Sequence, residues 1–253
     1  MNTRYQAPAL DKGLDILELL ARQPNGLSRI EMAMALVRSP GEIYRMVERL
    51  VVRGYVRRAP GSERYHLSSR MYRMAVQHPP LLDMLDIVYP EMTKFVQRAF
   101  QSVFLSIFHD GLVRVIATYE SADGYTIAPK VGAGLGVTDT APGMVLLAFQ
   151  GAPIRLAMMR AVQHSGPAGA GVEEVPQERI DVIRQTGYVR MSSPWFGGME
   201  NLSFPVLNRY GNAIAAITCP FLGTGLRRDR PDANAICEQL LAISSDISIR
   251  IPR

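Results

Sequence analysis

Apolar positions recur at helical spacing from the start of the chain. Leu10, Leu14, Leu17 and Leu20 or Ala21 lie three or four residues apart, which predicts an amphipathic helix over about 10–22. Pro24, Asn25 and Gly26 supply turn chemistry after it. A second helix is predicted from Leu27 to Val37, with Ser28 as N-cap and Glu31 completing a capping box. A third begins in RSPGEIYRMVERLVVRGYV. Ser39 fits its N-cap, Pro40 the first helical position, and Glu42 a second capping box. Ile43, Met46, Val47 and Leu50 mark the buried face, Tyr44, Arg45, Glu48 and Arg49 fall on the other, and Gly54 ends the helix. Tyr55-Val56 and Tyr65-His66-Leu67 then flank APGSE and read as a hairpin decorated by Arg57, Arg58 and Arg64.

SSRMYRMAVQ predicts a short helix, interrupted at Pro79-Pro80, and LLDMLDIVYPEMTKFVQRAF resumes helical periodicity. From residue 101 the pattern changes. Strands are predicted over Ser102–Phe108 and Leu112–Tyr119, around a His109-Asp110-Gly111 turn, and over Tyr125–Val131. Helices are predicted over 141–150, 153–163 and 176–186, strands over 201–207 and 212–221, and a closing helix over 229–250. Paired strands with helices between them predict an α+β fold, an antiparallel sheet flanked by helices. The expected division is 1–78 and 79–253.

Charge changes the picture of the first part. The net charge is +5, yet residues 1–78 hold 13 Lys and Arg against 7 Asp and Glu, so all the excess lies there. A basic segment joined to a near-neutral body points to a polyanion partner. Two helices meeting across a short turn, the second exposing Tyr and Arg near its N-terminal half, suit a recognition helix in a major groove. The basic hairpin after it suits a wing that reaches phosphates or a minor groove. Candidate DNA contacts are Arg29, Ser39, Gly41, Glu42, Tyr44, Arg45, Arg49, Arg57, Arg58 and Arg64. Glu42 has two readings, a capping carboxylate or a reader of cytosine. Arg49 and Arg53 also fit solvent charges balanced by Glu48.

Catalytic and cofactor chemistry is sparse. KVGAGLG lacks the third glycine and the strand-to-helix setting of a dinucleotide site, so it reads as a turn. Neither a G-x-S-x-G elbow nor an H-E-x-x-H helix occurs, and His66, His78, His109 and His164 are isolated. Cys219 and Cys237, the only cysteines, have no paired spacing and read as packing residues. No cofactor or metal is expected. The apolar runs are too short for a bilayer and the N-terminus does not read as a signal peptide, so a cytoplasmic location is expected. A competing reading is a GAF-like hydrolase or lyase with a basic N-terminal arm. A capped recognition helix followed by a basic wing separates the two, because an enzyme has no need of it.

These motifs resemble the IclR-type transcription regulators. The opening ALDKGLDILELLA, the helix entered by GLS, and the stretch Val37 to Leu50 followed by Gly54-Tyr55-Val56 match the family's DNA-binding domain, whose recognition helix has the form G-L-P-K-S-T-V-H-R-L-L-x-T-L. Gly41-Glu42 replaces the family's Ser-Thr, Tyr44 its His, and Arg45 is retained. The second part is similar to the family's GAF-like effector domain. Gly136 to Ala148 matches its P-L-H-A-T-A-x-G-K-A-L-L-A, with Met144 for the usual Lys. Gly187-Tyr188-Val189 and Gly198 to Val206 match a second stretch, with Asn201 for the usual Cys.

The resemblance implies a winged helix-turn-helix, a linker helix and an effector pocket contacted at Ala141, Pro142, Met191, Asn201 and Thr218. Trp195 and Phe196 read either as aromatic walls or as packing. Asn201, Ser203 and Thr218 offer amide and hydroxyl groups that orient a carboxylate or satisfy nearby backbone. The expected effector is a small carboxylic or aromatic acid. The other expected partners are a double-stranded DNA operator and a second copy of the chain, as a homodimer or dimer of dimers.

Overall fold

The computed structural model describes residues 7–75, 79–122, 125–165, 175–223 and 230–251. The chain divides into two compact units, 1–82 and 83–253. His78, the end of the predicted 68–77 helix and residue 229 lie outside the described residues.

The first unit is built on three helices, α1 (Pro8–Ala21), α2 (Arg29–Ala35) and α3 (Pro40–Val52), with a hairpin of β1 (Val56–Arg58) and β2 (Tyr65–Leu67). Its core joins Ile16, Leu17 and Leu20 of α1 to Met32, Ile43, Val47, Val56 and Tyr65. Of the face expected for α1, Leu17 and Leu20 turn inward, whereas Leu10 and Leu14 are exposed and Ile16 takes the central buried position. Both predicted capping boxes form: Ser28 and Ser39 accept from the N–H of Glu31 and Glu42, whose carboxylates accept from the cap N–H in return. Leu27 and Tyr65 exchange backbone hydrogen bonds of 3.0 and 2.8 Å, stitching the hairpin to the entry of α2. The chain passes so close there that a Cβ on Gly26, at φ +63°, would lie 2.5 Å from the Tyr65 carbonyl oxygen. A short helix α4 (Arg70–Ala75) follows, and the division of the units falls within α5 (Pro79–Ala99).

The second unit is a six-stranded antiparallel sheet. Its strands are β3 (Val103–His109), β4 (Leu112–Tyr119), β5 (Gly134–Leu135), β6 (Val189–Ser192), β7 (Met199–Leu207) and β8 (Ala213–Leu222), in the order β5-β4-β3-β8-β7-β6. Helices α6 (Ala141–Ala148), α7 (Ala152–Ser165), α8 (Gln177–Thr186) and α9 (Ala233–Arg250) flank it. Helix α6 is buried at every residue. With Ile180, Ile183, Val113 and Ala216 it forms a core cluster of this unit. Pro205 and Pro220 are tolerated within strands because the neighbouring pairings, β6 on β7 and β3 on β8, end before reaching them.

One predicted strand does not form. Residues 125–130 have no ladder partner. Pro129 lacks an N–H, and side chains bond the carbonyls instead: Ser102 Oγ donates to Ile127 O at 2.6 Å and Thr118 Oγ1 to Pro129 O at 3.1 Å. Two short edge strands, β5 and β6, were not predicted, being too brief for a period-two pattern to register.

Candidate nucleic-acid interface and ligand cavity

In the first unit the exposed side of α3 carries Gly41, Tyr44, Arg45 and Arg49. The Arg29 guanidinium from α2 sits 5.0 Å from the Tyr44 ring centroid. That cation–π contact fixes an aromatic and a cation as one exposed pair. Arg38, Arg45 and Arg57 form no ion pair among the described residues, which leaves three cations free for phosphates or base edges.

The remaining candidates have these surroundings within the unit. Glu42 accepts from Lys12 Nζ at 2.5 Å while its other oxygen accepts from the Ser39 backbone N–H and hydroxyl. These bonds, that from Lys12 foremost, hold the Glu42 carboxyl down at about 2. Of its two readings, the capping one matches this geometry, and Ser39 is used in the same cap. Arg64 donates to the Asn25 and Gly26 carbonyls and to Glu31, tying the hairpin to the entry of α2. Arg58 bonds Glu63 and the Ser62 carbonyl across its own loop. Arg49 and Arg53 line an apolar groove of about 430 Å³ beside Leu10, Leu14 and Met71.

The second unit holds a cavity of about 410 Å³. Its base is strand surface at Phe104, Met199, Asn201 and Pro220, and one end is formed by Leu135, Thr140 and Pro142. The 126–129 segment makes a second wall, held by the Ser102 and Thr118 hydroxyls described above. Trp195 and Phe196, from the β6–β7 connection, stand at the rim and are exposed. The Ser193 hydroxyl oxygen accepts from both their backbone N–H groups at 3.2 Å and so shapes that turn.

The polar groups of the cavity are few, and none of its lining side chains carries a formal charge. Thr140 Oγ1 is occupied, donating to Gly136 O at 2.6 Å and accepting from Gly143 N–H as the cap of α6. Asn201 is largely buried as a residue, but its amide reaches the cavity and makes no side-chain hydrogen bond among the described residues. An amide open to the cavity offers one donor and one acceptor group to a ligand's polar end.

Of the positions named from sequence, Pro142, Trp195, Phe196 and Asn201 line this cavity together. Four do not. Ala141 is fully buried at the start of α6, and Met191 packs against the core cluster although its register partner is Asn201. Ser203 and Thr218 are fully buried and bond each other's hydroxyls at 2.9 Å, which satisfies both inside the sheet. Phe104, Thr126, Ile127, Leu135, Met199 and Pro220 were missed, and nothing in their local sequence marks them. Burial pushes both cysteine thiols upward, which suits packing rather than nucleophilic roles. Among the described residues no cluster of His, Cys, Asp and Glu is placed to hold a metal, and no helix is long and apolar enough to cross a membrane.

Two family models match the chain: the IclR helix-turn-helix domain over residues 9–60 and the bacterial transcriptional regulator IclR C-terminal domain over residues 80–249. The HTH-type transcriptional regulator KdgR of Dickeya chrysanthemi is 23% identical over 198 residues, which span 76% of this chain and 63% of that protein. Among solved structures, Pseudomonas aeruginosa HmgR superposes with a TM-score of 0.75 at 20% identity, over 98% of this chain and 100% of that one. An IclR homologue from Microbacterium hydrocarbonoxydans, complexed with 4-hydroxybenzoate, gives 0.76 at 18% identity, over 96% and 98%. With both units matched in chain order, the protein belongs to the IclR family of DNA-binding transcriptional regulators and is not an enzyme.

Proposed function

We propose that this regulator acts in the cytoplasm, binds its operator as a homodimer or dimer of dimers, and changes operator affinity when a small ring-bearing carboxylic acid enters the second unit's cavity. The observation that carries the reading is the unpartnered Asn201 amide in a cavity otherwise walled by Phe104, Pro142, Trp195 and Pro220. Apolar walls take a ring or alkyl chain, and the amide orients its polar end. No lining residue offers an ion pair, so hydrogen bonds carry the recognition of a carboxylate. The solved relative with 4-hydroxybenzoate supports this class of ligand.

One winged helix reads only a few base pairs, so tight specific binding calls for two half-sites and two chains. The apolar groove on α1 and α3 offers a surface for such pairing. The ligand shifts DNA affinity only as far as it prefers one arrangement of the paired DNA-binding units, about 1–3 kcal/mol.

The test is calorimetric titration of benzoate, 4-hydroxybenzoate and short aliphatic acids into wild type and Asn201→Leu, alongside operator binding. A hydrogen bond to a charged group is worth about 1.5–3 kcal/mol, so the variant should bind the active acid roughly tenfold or more weakly. DNA binding without ligand should persist. Equal affinity for the active acid in both proteins would refute the pocket orientation.

A further inference from the structure

The turn between α2 and α3 contains a residue that the fold does not explain. Val37 has φ +51°, in the left-handed region. The cause is the way α2 stops. Val37 N–H bonds Met34 O at 3.2 Å and Arg38 N–H bonds Ala33 O at 3.0 Å, the paired closure of a helix end that puts its next residue into the left-handed region. Glycine occupies that position at no steric cost. A β-branched side chain is the worst suited of all, because its branch crowds the carbonyl in that conformation. Yet Val37 is 90% exposed, so its side chain gains almost nothing from burial. The chain pays backbone strain for an apolar side chain that the folded protein does not use.

Strain kept at an exposed position points to a contact made outside the chain. The setting identifies the partner. Val37 stands two residues before Ser39, the N-cap of the recognition helix. Beside it Arg38 is exposed and free of ion pairs among the described residues, as is Arg45 one turn into α3. An apolar branch next to unpaired guanidinium groups, in the unit that holds the chain's excess positive charge, complements a duplex. The cations meet phosphates and the methyl groups meet the apolar feature of the major groove, the thymine C5-methyl.

We propose that Val37 is a specificity-determining residue that packs against a thymine methyl group at the edge of each half-site. The strained backbone directs its side chain outward, ahead of the recognition helix, where the groove is entered. Tyr44 and Arg45 read deeper positions from α3 itself.

The experiment uses the full-length chain. Wild type selects duplexes from a randomised pool, and the enriched sequence serves as operator in an anisotropy titration against wild type and Val37→Gly. Each thymine of the operator is then replaced in turn by uracil, which removes only the methyl group. Glycine suits the left-handed turn, so the variant should fold at least as well as wild type, and thermal melting checks this. One thymine-to-uracil change in each half-site should weaken wild type roughly fourfold, the value of burying one methyl group, and leave Val37→Gly unaffected. The variant should bind the intact operator at least that much more weakly and an unrelated duplex equally well. Wild-type operator affinity in Val37→Gly would overturn the assignment. So would uracil losses of equal size in both proteins, or a pool that yields no sequence preference.

Discussion

Replacing Gly143 by alanine tests the packing that positions the cavity. Gly143 lies in the first turn of α6, where alanine would ordinarily add about 1 kcal/mol of helix propensity. Here the space is taken. A Cβ at this site would sit 2.3 Å from the Val137 carbonyl oxygen and 2.6 Å from its C and Cα, all backbone atoms, whereas real Cβ atoms stay beyond 3.0 Å. Rotating a side chain cannot relieve such a contact. Either α6 or the 136–139 segment must retreat, and α6 is buried along its whole length against the sheet and α8. Overpacking of a tight core costs about 1–3 kcal/mol, and a backbone collision belongs at or beyond the upper end. The clash therefore outweighs the propensity gain, for a net loss of about 2 kcal/mol. In a unit of this size that lowers the melting temperature by about 4–8 °C. Trp195 is the only tryptophan and belongs to this unit, so its fluorescence during urea unfolding reports the change directly. Thr140 and Pro142 at the same helix end line the cavity, so ligand affinity should fall as well. A variant as stable as wild type would show that α6 backs away from Val137 without cost and would refute the account of close packing.

Two further outcomes follow from the first unit. Arg57→Ala should weaken binding to all duplexes alike and flatten the salt dependence by roughly one unit of slope, since Arg57 is exposed and unpaired among the described residues; an unchanged slope in a titration over salt would remove it from the phosphate contacts. The Glu42 carboxyl is depressed to about 2 by Lys12 and Ser39, so the stabilisation from this group is complete above its ordinary value near 4.5 and is lost as pH falls towards 2. Lys12→Met should therefore be less stable than wild type at neutral pH, and the gap should close between about pH 4.5 and 2; thermal melts of both proteins across that range measure it, and a gap independent of pH would show that the Lys12 contact with Glu42 is not its source.

Much of this protein is legible in its sequence because local rules and tertiary contacts agree. The capping boxes at Ser28 and Ser39 depend on residues three apart, so they form wherever the helix starts. Apolar spacing marks Leu17, Leu20, Ile43 and Val47 as inward positions, but only the packing exposes Leu10 and Leu14 and buries Ile16 instead. Asp110 and Gly111, both at positive φ, make the turn that the sequence marks between β3 and β4. The sites were less legible, because they are set by which distant segments meet. Only the sheet order brings Phe104 of β3, Asn201 of β7 and Pro220 of β8 to one cavity. Only the cross-strand register of Ser203 with Thr218 commits both hydroxyls to each other. The Ser102 and Thr118 hydroxyls, far from the 126–129 segment in sequence, take the carbonyls that a strand would have used. The same holds at the DNA-binding face. Sequence names Arg45, Arg57, Arg58 and Arg64 alike as basic residues, but which of them already has a partner within the unit depends on the fold. Glu63 meets Arg58, and Glu31 and the turn at Asn25 meet Arg64, contacts set by distance through space rather than along the chain.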